Sequence, residues 1–274
     1  MIAGLPIEYG CARVAARLSQ RPDDRLWHRL QSARSVPALL EAIRATDVAA
    51  AVSGVPLAGD ADAIELAFRQ QLRTRVDEVA SWAPDEWRGP VLAIRQLVDL
   101  PAVVALAGEE APPKWMVDDP VLAPWTGGNR AARRAALLQG PWGPLIAALD
   151  APPSTTPKPR VRKQPASAGP APLHRAVDAW TEGWVATWPR RPEAAGQALL
   201  QLVQSLRRHL QQFAALAADR AGAARQDLAA WLAARVHRLG VQPATLFAYL
   251  ALSALDLERL RGEFVLRARL GDTR

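Results

Sequence analysis

The chain lacks most of the residue groupings on which protein chemistry is commonly built. Cys11 is the single cysteine among 274 residues. No internal disulfide can form, and no cysteine pair exists for a zinc ribbon. The four histidines, at positions 28, 174, 209 and 237, are too scattered to suggest a metal cluster. No unbroken apolar run reaches the roughly 20 residues of a bilayer-crossing helix. The N-terminus also lacks the basic patch and long apolar stretch of a secretory signal, so the expected location is the cytoplasm. Charged residues make up only 22% of the chain and hydrophobic ones 50%. That balance excludes a wholly disordered chain and allows a real core, in one large domain or two smaller ones.

Catalytic motifs are missing as well. Covalent hydrolysis needs a positioned nucleophile and base. The sequence has no G-x-S-x-G elbow and no Cys–His pair close together. Cys11, in IEYGCARVAARL, reads as a small buried residue rather than a nucleophile. The G-x-x-x-x-G-K-[ST] phosphate loop is absent, and Trp125-Thr126-Gly127-Gly128-Asn129 reads as a turn. Acid pairs stand at Asp23-Asp24, Glu109-Glu110 and Asp118-Asp119. A glycosidase would need two carboxylates facing each other across a cleft; adjacent acids in loops usually stay solvated, and Asp118-Asp119 before Pro120 suits a turn cap. No H-E-x-x-H or E-x-x-H pattern includes His209 or His237. The expectation is a non-enzyme with no cofactor and no metal.

What is present is basic charge, unevenly spread. Residues 1–150 hold 16 basic and 18 acidic groups, while residues 171–274 hold 14 and 9. Between them, residues 151–170, APPSTTPKPRVRKQPASAG and Pro170, carry Lys158, Arg160, Arg162 and Lys163 with no acid. Its prolines and small polar residues predict an exposed linker or loop; the other reading is a basic docking strip for an acidic partner or nucleic acid. No aromatic residue is interleaved there to stack on a base. The expected organisation is an N-terminal helical domain over 1–150, the linker over 151–170, and a C-terminal helical domain over 171–274.

Helix signals dominate and no β-branched alternation stands out, so the fold class is all-α, a multi-helical bundle. Residues 36–51 place Leu39, Leu40 and Ile43 at helical spacing, with Ser35 as N-cap and Pro37 in the first turn. Residues 60–80 predict a helix started by Asp60 and Asp62. Pro101 should break or kink the run over 84–107. Residues 111–129 read as an irregular loop, and 130–149 as a short helix or helix pair around Gly140, Pro141 and Gly143. Further helices are predicted over 172–188, 193–218, 220–239 and 243–269, with Gly240 stopping one and Pro243 starting the next.

Tryptophan is the other abundant feature, with ten residues. Trp180, Trp184 and Trp188 recur at four-residue steps and form one stripe if their helix is continuous. The stripe reads as a core seam or an interaction face, with a ligand cage as a distant third.

Leu246–Arg261, LFAYLALSALDLERLR, resembles the final helix of the C subunit (also called d or AC39) of V-type and A-type rotary ATPases. Asp256 matches that helix's acid, and Leu260 and Arg261 match its Leu-Arg pair. Arg259 stands where the family often has Asn, and Ser253 where Lys is common. Tyr9, Ala12 and Arg13 resemble the family's opening Tyr-x-x-Ala-Arg element, residues 35–46 its early helix, and Ile94–Leu100 a decayed internal copy of the C-terminal element. The resemblance implies a funnel-shaped body of three related helical sectors. It also implies a non-catalytic coupling role between central stalk and membrane rotor ring, peripheral on the cytoplasmic side. On that reading Tyr9, Arg13, Asp256, Leu260 and Arg261 are structural or contact positions, joined by the tryptophan stripe. The alternatives are a helical adaptor for another complex, a basic nucleic-acid binder, and, last, an enzyme of unrecognised type.

Overall fold

The path of the chain is set by helix starts and stops that the local sequence supplies. A computed structural model describes residues 6–57, 60–150, 172–189, 193–214 and 218–271. Among them the long regular elements are all α-helices, with no strand. In chain order they are α1 (Ile7–Leu18), α2 (Asp24–Ser32), α3 (Val36–Arg44), α4 (Ala61–Trp82), α5 (Asp85–Leu92), α6 (Ile94–Leu106) and α7 (Lys114–Asp118). They continue with α8 (Arg130–Gln139), α9 (Gly143–Asp150), α10 (Pro172–Ala186), α11 (Glu193–Ala214), α12 (Ala218–Leu239) and α13 (Pro243–Gly271). The basic segment over 151–170 lies outside the described residues.

Capping explains many of the boundaries. Each cap side chain accepts a hydrogen bond from a first-turn N–H that has no partner inside the helix. Asp23 accepts from Leu26, Ser35 from Ala38, Asp60 from Ala63, and Asn129 from Ala132. The Trp125–Asn129 stretch is therefore a turn feeding α8, with Gly128 at φ +78°. Asp119, fully buried, accepts from the N–H of Val121 and holds the turn after α7. Gly240 ends α12 at φ +63°, the left-handed conformation that glycine adopts without a Cβ clash.

The described chain divides into two compact units, and their limits differ from the halves expected around the linker. One holds residues 1–95 together with 188–274; the other holds 96–187. The physical reason lies in the first unit, where α13 packs along α4 and α12 and also against α1 and α3. Its core draws Leu26, Trp27 and Leu30 from α2, Leu39, Leu40 and Ile43 from α3, and Ile64 and Phe68 from α4, onto Leu257, Leu260 and Phe264 of α13. Arg267 locks the same contact. Its guanidinium donates to the carbonyls of Leu30, Gln31 and Ala33, the unsatisfied end of α2.

Close approach of α1 to α4 depends on Gly10. A Cβ there would lie 2.9 Å from the Trp82 carbonyl oxygen and 3.2 Å from Leu246 Cδ2. Backbone, not a flexible side chain, would have to give way. Gly10→Ala should therefore cost about 1–3 kcal/mol despite alanine's better helix propensity, measured as a lower denaturant midpoint at unchanged slope.

In the second unit α9 packs on α8 and α10. Arg133 of α8, only 4% exposed, donates to the carbonyls of Leu106, Gly108, Glu110 and Gly128. One side chain thus satisfies the end of α6 and both sides of the following loop.

Two sequence expectations need correction, on the run over 84–107 and on the tryptophan stripe. The run over 84–107 is interrupted at Ala93, between α5 and α6, and Pro101 sits inside α6. By length and mean hydropathy (1.5), Asp85–Leu106 does qualify as a stretch able to cross a membrane. In the structure it is two helices, with Arg88 and Arg95 along it and Asp99 buried. The tryptophan stripe also fails at its third member. Trp188 precedes Pro189, which disfavours helical backbone at the residue before it, and α10 ends at Ala186.

Candidate functional site

The sequence-derived candidates fall into separate surroundings. Trp180 and Trp184 are buried in the second unit, their rings stacked at 5.1 Å and 17°. They form a core seam there. Trp188 belongs to the first unit, where its ring lies 6.4 Å from that of Trp87, which in turn meets Phe247 at 5.9 Å.

The remaining candidates all stand in the first unit, on α1 and α13. Tyr9 is 41% exposed. Arg13, one turn further on, is exposed and sits over the Trp82 ring at 5.3 Å. Such a cation–π contact at an exposed site contributes about 0.5–1 kcal/mol. Leu260 is 1% exposed and is a core residue, not a contact position.

Asp256 and Arg261 anchor a line of ion pairs between distant parts of the sequence. Arg21, just beyond α1, donates to Asp256 through Nε at 2.6 Å and Nη2 at 2.9 Å. This two-point fork fixes orientation as well as distance. Arg261 donates to Glu65 of α4 and to Glu258 one turn back, both at 2.6 Å. Glu65 is shared with Arg69 at 2.8 Å. Arg259, between them, stacks over the Trp27 ring of α2 at 4.0 Å. Sequence reading singled out Asp256 and Arg261 but missed their partners. Arg21, Glu65 and Trp27 carry no motif, and only tertiary packing brings them near.

Burial pushes the Asp256 carboxyl up from its ordinary value, against the opposing pull of Arg21 and Arg259. An acid raised by folding contributes stability below its unfolded pKa, about 3.9, and loses it as pH rises through the folded value. Asp256→Asn removes this titration. Wild type should therefore lose stability relative to Asp256→Asn as pH rises from about 3 to 7, measured by urea unfolding of both proteins at each pH. A dominant hold by Arg21 would give the opposite slope.

In this arrangement the carboxylates of Asp256 and Glu65 face guanidinium groups of other helices or turns, which ties those segments together. Among the described residues no group of three or more His, Cys, Asp or Glu side chains is placed to hold a metal ion. Cys11 is buried, its thiol 3.8 Å from the Gln242 carbonyl oxygen, and burial raises its pKa. His209 is half-buried on α11, its pKa lowered by burial and by Arg225. No family model, no curated protein and no solved structure matches the chain.

Proposed function

We propose that the chain is a non-catalytic coupling subunit of a V/A-type rotary ATPase, the socket that joins the central stalk to the membrane rotor ring. One observation supports the reading. Tyr9, Arg13, Asp256, Leu260 and Arg261, the single positions matched to the family, lie near the two ends of the sequence and stand in one compact helical unit. Arg21 reaches Asp256 across 235 residues, and Arg261 reaches Glu65 across 196.

A part that carries torque must resist shear between its helices. Hydrophobic contact is non-directional, so apolar faces slide more easily than they separate. Two-point guanidinium pairs and arginine caps are directional and oppose sliding. The funnel of three related sectors and the peripheral position at the cytoplasmic face belong to this proposal, as do the stalk and ring partners. No direct membrane span and no nucleic acid is part of it.

A helical adaptor serving another complex is the second reading. Arg259 favours it, because it stacks on Trp27 where the rotary family often has Asn. Affinity capture of the tagged chain from detergent-extracted native membranes separates the two. Recovery of stalk and ring subunits in fixed proportion supports the socket; recovery of neither, from membranes that contain both, contradicts it.

A further inference from the structure

The outward side of α12 carries a pattern that neither the core nor the coupling proposal uses. Leu232, Val236 and Leu239 are buried, on the face turned to the α13 packing. Asp227, Trp231, Ala234 and Arg238 are all exposed, Trp231 at 39%. Their spacing of four, three and four residues places them within about 60° of one another around the helix, at 100° per residue. Among the described residues, neither the Asp227 nor the Arg238 side chain has a hydrogen-bonding or ionic partner. An acid and a base without partners among the described residues thus bracket an exposed tryptophan and a small residue.

We propose that this seam pairs with a second copy of itself, α12 against α12 in antiparallel order. The positions fit one two-fold axis. A register that sets Asp227 opposite Arg238 of the second copy also sets Trp231 opposite Ala234. Acid therefore meets base and large meets small, twice each, which a self-complementary interface requires. A parallel pairing would put acid on acid and indole on indole. Ala230, also exposed beside Trp231, leaves room for the indole. A single helix seam buries less than the roughly 1,600 Å² of a standard interface, so the dimer belongs to the weak, reversible class. The pairing does not depend on the coupling role.

The test is sedimentation equilibrium of the full chain over a concentration series up to about 1 mM. Wild type is expected to shift from monomer to dimer. Trp231→Ala should weaken association about 30-fold, the loss typical of a hot-spot tryptophan. Asp227→Arg and Arg238→Asp, each alone, should weaken it about tenfold by setting like charges face to face. Mixed in equal amounts, those two variants should regain wild-type association, because each then meets an opposite charge at both positions. Far-ultraviolet circular dichroism confirms that every variant remains helical. A wild-type chain that stays monomeric throughout, a dimer indifferent to Trp231→Ala, or charge variants that do not rescue each other overturns the proposal.

Discussion

Phe264→Ala should lower the unfolding free energy by about 3–5 kcal/mol, the range for removing a fully buried large aromatic side chain. Phe264 is wholly inaccessible, and its ring lies 5.6 Å from that of Phe68 at 50°. The loss has two parts: the transfer free energy of the ring, and the cavity left among side chains that relax only partly. That cavity would open where α13 meets α2, α3 and α4. The consequence should therefore reach the N-terminal helices. Hydrogen exchange in α2 and α3 should quicken along with exchange in α13, because one core serves both ends of the chain. Leu266→Ala, two residues on at a position 55% exposed, should change stability by less than about 0.5 kcal/mol and serves as the control. Chemical denaturation of both variants measures the contrast.

Arg133→Met should cost about 2–4 kcal/mol, although it keeps an apolar stem of similar length. The expected loss comes from the carbonyls, not from the charge. A hydrogen bond to a charged group contributes about 1.5–3 kcal/mol, and such terms are not additive within one network. Removing the guanidinium would deprive the Leu106, Gly108, Glu110 and Gly128 carbonyls of a donor together. Some would regain water, which holds the total below the simple sum. Arg133→Lys is the informative companion. An ammonium keeps the charge but cannot spread donors in a planar fork over four acceptors, so it should recover less than half of the loss. Full recovery by lysine would mean that charge, not geometry, holds the loop after α6. Thermal and urea unfolding of the two variants decide between these outcomes.

How far the sequence reveals this structure varies with the range of the interaction involved. Local signals read well. Ser35 and Asp60 cap the helices expected of them, and Gly240 and Pro243 separate α12 from α13. Gly140 and Pro141 lie in the gap between α8 and α9, where a helix pair was expected. Proline was less decisive. Pro90 and Pro101 both lie inside helices, while the interruption falls at Ala93. A proline removes one donor and crowds one turn, and packing around α5 and α6 outweighs that local cost. Helices α1 and α2 were not anticipated, although Leu26, Trp27 and Leu30 of α2 are buried at helical spacing.

Long-range arrangement was least legible. The tryptophan stripe assumed a continuous helix through residue 188, and Pro189 ends that continuity. The proline-rich basic segment suggested a cut between halves. The units instead divide near residues 95 and 188. Linker composition reports where a chain is not packed; it does not report which helices its flanks pack against. Asp256 and Arg261 could be chosen from a resemblance. Arg21, Glu65 and Trp27 could not, since nothing in their local sequence marks them as partners of residues some 200 positions away.

The most direct test of the proposed coupling role is ion pumping by inverted membrane vesicles from cells lacking this chain. ATP hydrolysis by the rotary machine should continue in those vesicles while ion uptake falls to background, and adding back the purified chain should restore uptake. Uptake at the wild-type rate in its absence would contradict the coupling role.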